Sequence, residues 1–132
     1  MLSTVPLIAT RLAAALGAGW DVTDGTAPQD RRTLPRADVR LTDAVFSSAS
    51  GPNVSLQARY TVTLVVDASN TAYELLETAV DQAIASVHHW RPTAKHQRLA
   101  LQGLNALDFA EQTLLGFDLV FTLLTTRPGC NE

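Results

Sequence analysis

Charge and cysteine are both scarce in this sequence, and several classes of protein can be set aside for that reason. Charged residues make up 17% of the 132 residues, the net charge is −3, and Lys and Arg form no run. The nearest approach to a run is Arg31, Arg32 and Arg36, so we expect no nucleic-acid binding through a broad basic face. Apolar runs fall short of the roughly 20 residues that span a bilayer, so no membrane segment is expected.

The single cysteine, Cys130, lies near the C-terminus. One cysteine forms no internal disulfide, which fits a reducing compartment such as a cytoplasm. No histidine stands beside it in the sequence, which makes it a weak candidate for a nucleophile. The sequence also lacks a nucleophile elbow, a phosphate-binding glycine loop and a dinucleotide fingerprint. We therefore do not expect an enzyme.

Histidine and carboxylate groups that could hold a metal or catalyse a reaction are few. His88 and His89 are adjacent. Neighbouring side chains on a helix point about 100° apart, so the two imidazoles cannot easily share one metal ion, even with His96 further on. Asp108 and Glu111 flank an expected turn, where solvation explains both carboxylates. We expect no metal site and no cofactor.

Apolar residues at steps of three and four predict two amphipathic helices. The stripe of the first helix consists of Val5, Ile8, Leu12 and Leu16. Thr4 is expected to cap this helix and Gly17 to end it. The stripe of the second helix consists of Tyr73, Leu76, Val80, Ile84 and Val87. Thr71 and Glu74 are expected to form a capping box at its start.

Alternating apolar and polar residues predict strands, most clearly over residues 54–66. An earlier strand near Val39 should pair with it in an antiparallel hairpin, whose polar tip is expected at residues 47–53. The consecutive apolar residues Val45 and Phe46 indicate a bulge or a strand end nearby. Two more strands are expected after the second helix.

The predicted fold is a single α+β domain over residues 1–132, with 127–132 as a C-terminal tail. It consists of a mainly antiparallel four-stranded sheet packed with two helices, in the order α-β-β-α-β-β. Residues 21–36 are expected to form a loop, because Asp24-Gly25, Pro28 and Pro35 are turn signals. The helices and strands should meet in one core formed by Leu12, Leu56, Tyr60, Val62, Leu64, Leu76, Val80, Ile84, Leu119 and Phe121.

The last strand is apolar on both of its sides, because Val120 and Leu124 alternate with the core positions. A partner subunit is one candidate to cover them. The alternative is that the two helices lie on opposite faces of the sheet. Asp118 lies in the same strand. A solvated position or a cross-strand pair with Arg59 or Arg98 is favoured for it over an ion pair to a neighbouring subunit.

The order of these elements resembles that of the tail terminator proteins of long-tailed bacteriophages, the minor tail protein U-like family. The resemblance covers nearly the whole chain. It consists of the helix over 7–16, Leu34-Pro35 before the strand over 37–41, the long strand over 56–66, the second helix over 73–87 and the last strand over 117–123.

This resemblance implies a structural virion protein without catalytic residues, located at the head-proximal end of a tail and assembled in the bacterial host cytoplasm. It implies a homo-oligomer, a hexameric ring that caps the tail tube, ends tail elongation and joins the tail to the head. The implied partners are further copies of the chain, the tail tube protein and a head-side connector protein. The alternatives are another head–tail joining or tail completion protein, and a dimeric small-molecule-binding α+β module.

Eight residues form the candidate interface with a subunit or partner. They are Arg31, Arg32, Phe46, Asn53, Arg59, Asp118, Val120 and Leu124. Arg31 and Arg32 belong to the long polar loop, where a guanidinium can pair with a carboxylate on a neighbour. The hairpin tip extends from a long strand and can reach past the body of its own subunit.

We expect Arg31→Glu combined with Arg32→Glu to weaken ring formation or docking and to leave the fold intact, since exposed loop changes seldom cost much stability. Assembly mass, circular dichroism and binding to tail tubes would be measured on the double variant. Unchanged assembly together with unchanged docking would remove the loop from the interface.

Overall fold

The computed structural model describes residues 2–24, 33–50, 53–69, 71–93, 97–109 and 113–128. Within these ranges the chain forms two helices and five strands. In chain order they are α1 (Thr4–Leu16), β1 (Asp21–Thr23), β2 (Arg36–Ser50), β3 (Asn53–Asp67), α2 (Ala72–Val87), β4 (Ala100–Ala106) and β5 (Leu114–Pro128). Neither helix has the length and apolar character needed to cross a membrane. Strand β5 includes the first two residues of the segment 127–132 that was expected to be a tail.

All five strands belong to one sheet, in the order β1-β2-β3-β5-β4. Strand β1 pairs parallel with β2, and the other three pairs are antiparallel. The predicted four-stranded antiparallel sheet in the order α-β-β-α-β-β is therefore wrong, since the sheet is mixed and has a fifth strand within residues 21–36. A strand of three residues is too short to show an alternating pattern, and turn signals surround it.

Hydrogen bonds, which the pattern of apolar residues does not indicate, hold β1 in place. The Asp21 backbone N–H donates to the Pro35 carbonyl at 3.0 Å. The Thr23 hydroxyl donates to Asp38 Oδ1 at 2.6 Å, and Arg36 Nε donates to Asp38 Oδ2 at 3.3 Å. Polar side-chain bonds and a parallel ladder thus add β1 to the edge of the sheet.

The predicted antiparallel hairpin is confirmed, but its strands are longer than expected. Pairing continues through Ser48↔Ser55 to Ser50↔Asn53, so residues 47–50 belong to β2 and not to a tip that begins at residue 47. Backbone ladder bonds extend the strand through a polar sequence that favours a turn. The register shifts between Leu41 and Asp43 and again between Phe46 and Ser48, which confirms the predicted bulge near Val45 and Phe46.

Both helices pack against each other and against the same face of the sheet, with α1 over β2 and α2 over β3 and β5. The alternative with helices on opposite faces is therefore wrong. Eight of the ten predicted core residues are buried. Leu56 and Ile84 are only partly buried, because Leu56 lies toward the hairpin end and Ile84 at the margin of the α2 stripe.

The helix ends differ in part from the expected caps. Ser3, not Thr4, is the N-cap residue of α1, and Thr4 is the first helical residue, fully buried. Thr71 is the N-cap of α2, but neither N-cap side chain makes a capping hydrogen bond, so the expected capping box is not formed. Gly17 ends α1 as predicted, with a φ of 89° that favours glycine.

One end of the sheet is covered on the face away from the helices. A Cβ atom added to Gly116 would lie 3.1 Å from Leu107 Cδ1 and from Phe109 Cε2, so these two side chains lie directly over Gly116. Its partner on β3, Val65, is fully buried. Leu107 and Phe109, which follow β4, thus cover this end of that face.

We expect Gly116→Ala to lower the free energy of unfolding by about 1–3 kcal/mol, the usual cost of inserting a carbon into a filled space. The added Cβ would lie 2.7 Å from the Leu64 carbonyl oxygen, a backbone atom that cannot turn away. Gly103→Ala on β4 is the matched control, because nothing lies within 4 Å of its Cβ position. Equal urea midpoints for the two variants would contradict this account of Gly116.

Candidate functional site

The face of the sheet away from the helices, called the open face below, carries four of the predicted interface residues. These are Arg59 on β3 and Asp118, Val120 and Leu124 on β5. Each of them lies between core positions along its strand, so its side chain points to the face away from the helices. Val120 is partly exposed and Leu124 is 36% exposed. The open face is thus the part of the described sheet that has room for another protein.

A chain of hydrogen bonds crosses the open face from β2 to β5. Arg40 Nη1 donates to the Thr63 hydroxyl at 3.1 Å, and that hydroxyl donates to Asp118 Oδ1 at 2.6 Å. Asp118 therefore accepts a bond from a threonine, whereas the favoured pair with Arg59 or Arg98 is not among the ion pairs of the described residues. Thr42 and Thr61 form a second hydroxyl contact on the same face, and Thr61 lies two residues before Thr63 on β3.

Arg59 makes a long ion pair with Asp43. Its Nη1 lies 3.6 Å from Asp43 Oδ2, and both side chains are at least one-third exposed. Its Nε is buried and has no hydrogen-bond partner among the described residues. A buried guanidinium N–H without an acceptor is costly. The exposed part of the guanidinium, which lies 3.6 Å from Asp43 Oδ2, can donate to a carboxylate of another protein.

The strands extend much further than the helices that cover them. Strands β2, β3 and β5 have 15 residues each, and the helices have 13 and 16. At about 3.3 Å per strand residue and about 1.5 Å per helix residue, the strands reach roughly 50 Å and the helices roughly 20–24 Å. One end of the three-stranded ribbon therefore lies beyond the helices.

That end, called the hairpin arm, comprises residues 45–50, 53–57 and 124–128. Apolar side chains on it remain in solvent, with Phe46 61% exposed, Val45 38% and Leu124 36%. Strand β4 pairs with β5 only as far as Thr122, so the outer edge of β5 in the arm has no described partner strand. Exposed apolar groups beside an unpaired strand edge are typical of a protein-binding surface.

The remaining predicted interface residues cannot all be placed. Arg31 and Arg32 lie outside the described residues. Asn53 begins β3, where its backbone pairs with Ser50 and Pro128, but its side chain is not described. Phe46, by contrast, is among the most exposed apolar side chains of the described chain. Cys130, His96 and Glu111 also lie outside the described ranges, and Asp108 is exposed.

A second surface, which the sequence did not predict, lies where α1 meets the end of α2. It is an open cleft of about 440 Å³, called the cationic cleft below, lined among others by Arg11, Arg91, Arg98, His88, His89 and Trp90. These residues come from three separate segments of the chain, so no local motif unites them. Only the docking of α1 and the segment before β4 onto the end of α2 brings them together.

Specific bonds hold the cationic cleft in shape. Arg11 Nε donates to the Ser86 carbonyl at 2.7 Å, and the guanidinium carbon lies 5.0 Å from the centre of the Trp90 ring. The backbone joins this segment to the one before β4, since His89 N–H donates to Leu99 O and Leu99 N–H donates to Trp90 O. Arg11 is therefore held by a carbonyl and by an aromatic face.

The two histidine rings lie closer together than predicted. Their centroids are 3.9 Å apart, because α2 ends at Val87, His88 has extended backbone and His89 has a φ of 64°. The expected helical separation of about 100° does not apply beyond the end of the helix. His88 Nδ1 accepts the Leu101 N–H at 3.0 Å, which places the ring proton on Nε2. Among the described residues no group of three or more His, Cys, Asp or Glu side chains could hold a metal ion.

Comparisons with known proteins show a shared fold and no related sequence. No family model and no curated protein sequence matches the chain. The fold is similar to that of a chain in the solved structure titled virion of native gene transfer agent (GTA) particle, with a TM-score of 0.63. The two chains are 16% identical, and the match covers 94% of this chain and 92% of that one. Nearly the whole fold is therefore shared with a component of a virion particle.

We expect Thr63→Val to lower stability by about 1.5–3 kcal/mol, because the variant removes a hydrogen bond to a carboxylate and one from a guanidinium. Thr122→Val is the matched control on the same face, since the Thr122 hydroxyl makes only a 3.5 Å contact with the Ala100 carbonyl. Urea unfolding of both variants measures the difference. An equal loss of stability in both variants would show that the hydrogen bonds from Arg40 through Thr63 to Asp118 add nothing to stability.

Proposed function

We propose that this chain is a structural, non-enzymatic virion protein of a phage-like particle, and that it forms a ring that caps the tail tube, ends tail elongation and joins the tail to the head. The observation that carries the proposal is the likeness in fold, over 94% of the chain, to a component of the GTA virion. The resemblance to the tail terminator family, over the two helices and the strands that contain residues 37–41, 56–66 and 117–123, supports the finer role.

The surface of the molecule fits an assembling protein. The open face carries Val120 and Leu124 beside polar side chains, and the hairpin arm adds exposed apolar groups beyond the helices. Val45 and Leu124 lie on either side of Gln57 on the open face, and exposed apolar groups that lie near one another mark protein contacts more often than isolated ones do. In the proposed ring these surfaces contact neighbouring copies, the tail tube protein and the head-side connector protein.

Two other functions remain as alternatives. Another head–tail joining or tail completion protein would use the same surfaces with different neighbours. A dimeric small-molecule-binding module would need a closed, mostly apolar pocket. The cationic cleft does not meet that requirement, because it is open and is lined by arginine and histidine side chains.

The ring is tested by mass measurement and electron microscopy of the purified protein, alone and with tail tubes. We expect closed rings of hexamer mass that bind to one end of a tube. A chain that stays a monomer or a dimer at all concentrations and does not bind tubes would overturn the proposal. Rings that bind only the head connector would favour the alternative of a joining protein.

Within this proposal we expect Phe46→Ser to raise the dissociation constant of assembly by about tenfold or more, since burying a large apolar side chain contributes about 1.5–3 kcal/mol. The thermal midpoint of the fold should stay nearly unchanged, because Phe46 is already 61% exposed. Leu2→Ser is the control, because Leu2 is 73% exposed and lies before α1, away from the arm. If the Phe46→Ser variant assembled as well as the wild type, the arm would not be part of the interface.

A further inference from the structure

The cationic cleft brings three arginine side chains together on one surface. Lys and Arg number only 10 in a chain of net charge −3, yet Arg11, Arg91 and Arg98 line this one cleft. None of the three takes part in an ion pair between described residues. All three are exposed, and no carboxylate lines the cleft. A cleft of this composition fits an anionic partner.

The anchoring of Arg11 makes this more than a group of loose surface charges. The bond to the Ser86 carbonyl and the contact with the Trp90 ring fix one guanidinium at the base of the cleft. Arg91 and Arg98 flank it on segments joined by the backbone bonds between Trp90 and Leu99. A preorganised set of donors loses less conformational entropy when it binds an anion than free side chains do.

A complementary surface lies on the same chain. Glu74, Glu77 and Asp81 are exposed on α2 and follow one another at steps of three and four, so they form one stripe along the helix. The buried residues of α2, such as Leu76 and Ala83, lie on the other side of the helix. This acidic stripe therefore faces away from the core and is available to another molecule.

The stripe and the cleft do not meet within one molecule. The stripe runs from Glu74 to Asp81, the cleft begins one helical turn later at Ala85, and no arginine of the cleft pairs with a carboxylate of the stripe among the described residues. They can meet between copies, as two different patches. Contacts of this head-to-tail kind generate closed rings or filaments, whereas a self-complementary patch generates a dimer.

We propose that the cationic cleft of one copy binds the acidic stripe on α2 of the next copy. The contact rests on the proposed ring and specifies which two faces meet in it. Arg91 and Arg98 pair with the carboxylates of Glu77 and Asp81, and Trp90 supplies an aromatic surface beside them. Such charge pairs fix the orientation of the two copies and exclude the reverse arrangement.

Charge reversal tests the contact directly. The cleft-reversed variant carries Arg91→Glu and Arg98→Glu, and the stripe-reversed variant carries Glu77→Arg and Asp81→Arg. Each alone should raise the dissociation constant of assembly by at least about tenfold, because two like-charged surfaces then face each other. An equimolar mixture should recover assembly as an alternating ring, since every junction again joins opposite charges.

Controls separate the contact from general charge effects and from misfolding. Asp67→Arg with Asp108→Arg changes net charge as the stripe reversal does, at two exposed positions outside α2, and should assemble as wild type. Circular dichroism should be the same for all variants, because every altered side chain is exposed. Recovery in the mixture also shows that both reversed chains are folded.

The outcomes distinguish this contact from the ring itself. If the wild type forms rings and the reversed variants form them equally well, the contact is wrong and the ring stands. If the wild type does not assemble at all, both the ring and the contact are overturned. If the cleft-reversed variant forms normal rings but loses binding to double-stranded DNA, the cleft binds a polyanion and the proposed contact is overturned.

Discussion

The pairing of β3 on both of its sides is the constraint on which the rest of this structure depends. Its 15 residues are matched with β2 along one edge and with β5 along the other. Because side chains alternate, Ala58, Tyr60, Val62, Leu64 and Val66 all face one side, and both helices pack there. A slip by one residue would turn this whole set away from the helices. The positions in between, Arg59, Thr61 and Thr63, are polar and lie on the open face for the same reason.

The difference in length between strands and helices then determines where the molecule can bind others. A helix rises about 1.5 Å per residue and a strand about 3.3 Å, so helices of 13 and 16 residues are much shorter than strands of 15 residues. The hairpin arm therefore extends beyond the helices, with Phe46 and Val45 exposed. Among the described residues, no further helix covers the arm. A second copy or a different protein can cover it with no added sequence. The geometry of the sheet itself thus favours a protein that functions in an assembly.

The sequence predicted those parts of the fold whose pattern is long enough to repeat. Two helices and the strand over 54–66 have periodic apolar positions, and most of the predicted core is buried accordingly. The three-residue strand β1 could not be predicted in this way, because a parallel ladder and the bonds to Asp38 hold it in place. The extension of β2 through residues 47–50 depends on backbone pairing and not on the side-chain preferences of that segment.

The same reasoning explains which site residues could be predicted. Val120 and Leu124 were recognisable because an apolar residue on the second side of a strand is itself a local signal. The cationic cleft gave no such signal, since Arg11 and Arg98 lie far apart in the sequence and come together only when α1 packs beside α2. His88 and His89 were predicted to diverge, and they converge because the helix ends one residue before them. Tertiary packing, not local periodicity, determines both features.

The two candidate surfaces would contribute to assembly in different ways. Burial of the apolar arm is non-directional and scales with area, so it supplies affinity but little choice between orientations. Pairing of charges between the cleft and the α2 stripe is directional and excludes wrong arrangements, although its net contribution to affinity is modest. Salt screens exposed charge pairs and leaves apolar burial largely intact. In a chain with only 17% charged residues, an acidic stripe and a cationic cleft that follow one another along α2 would give each subunit a polarity, and a ring that joins two unlike patches requires such a polarity.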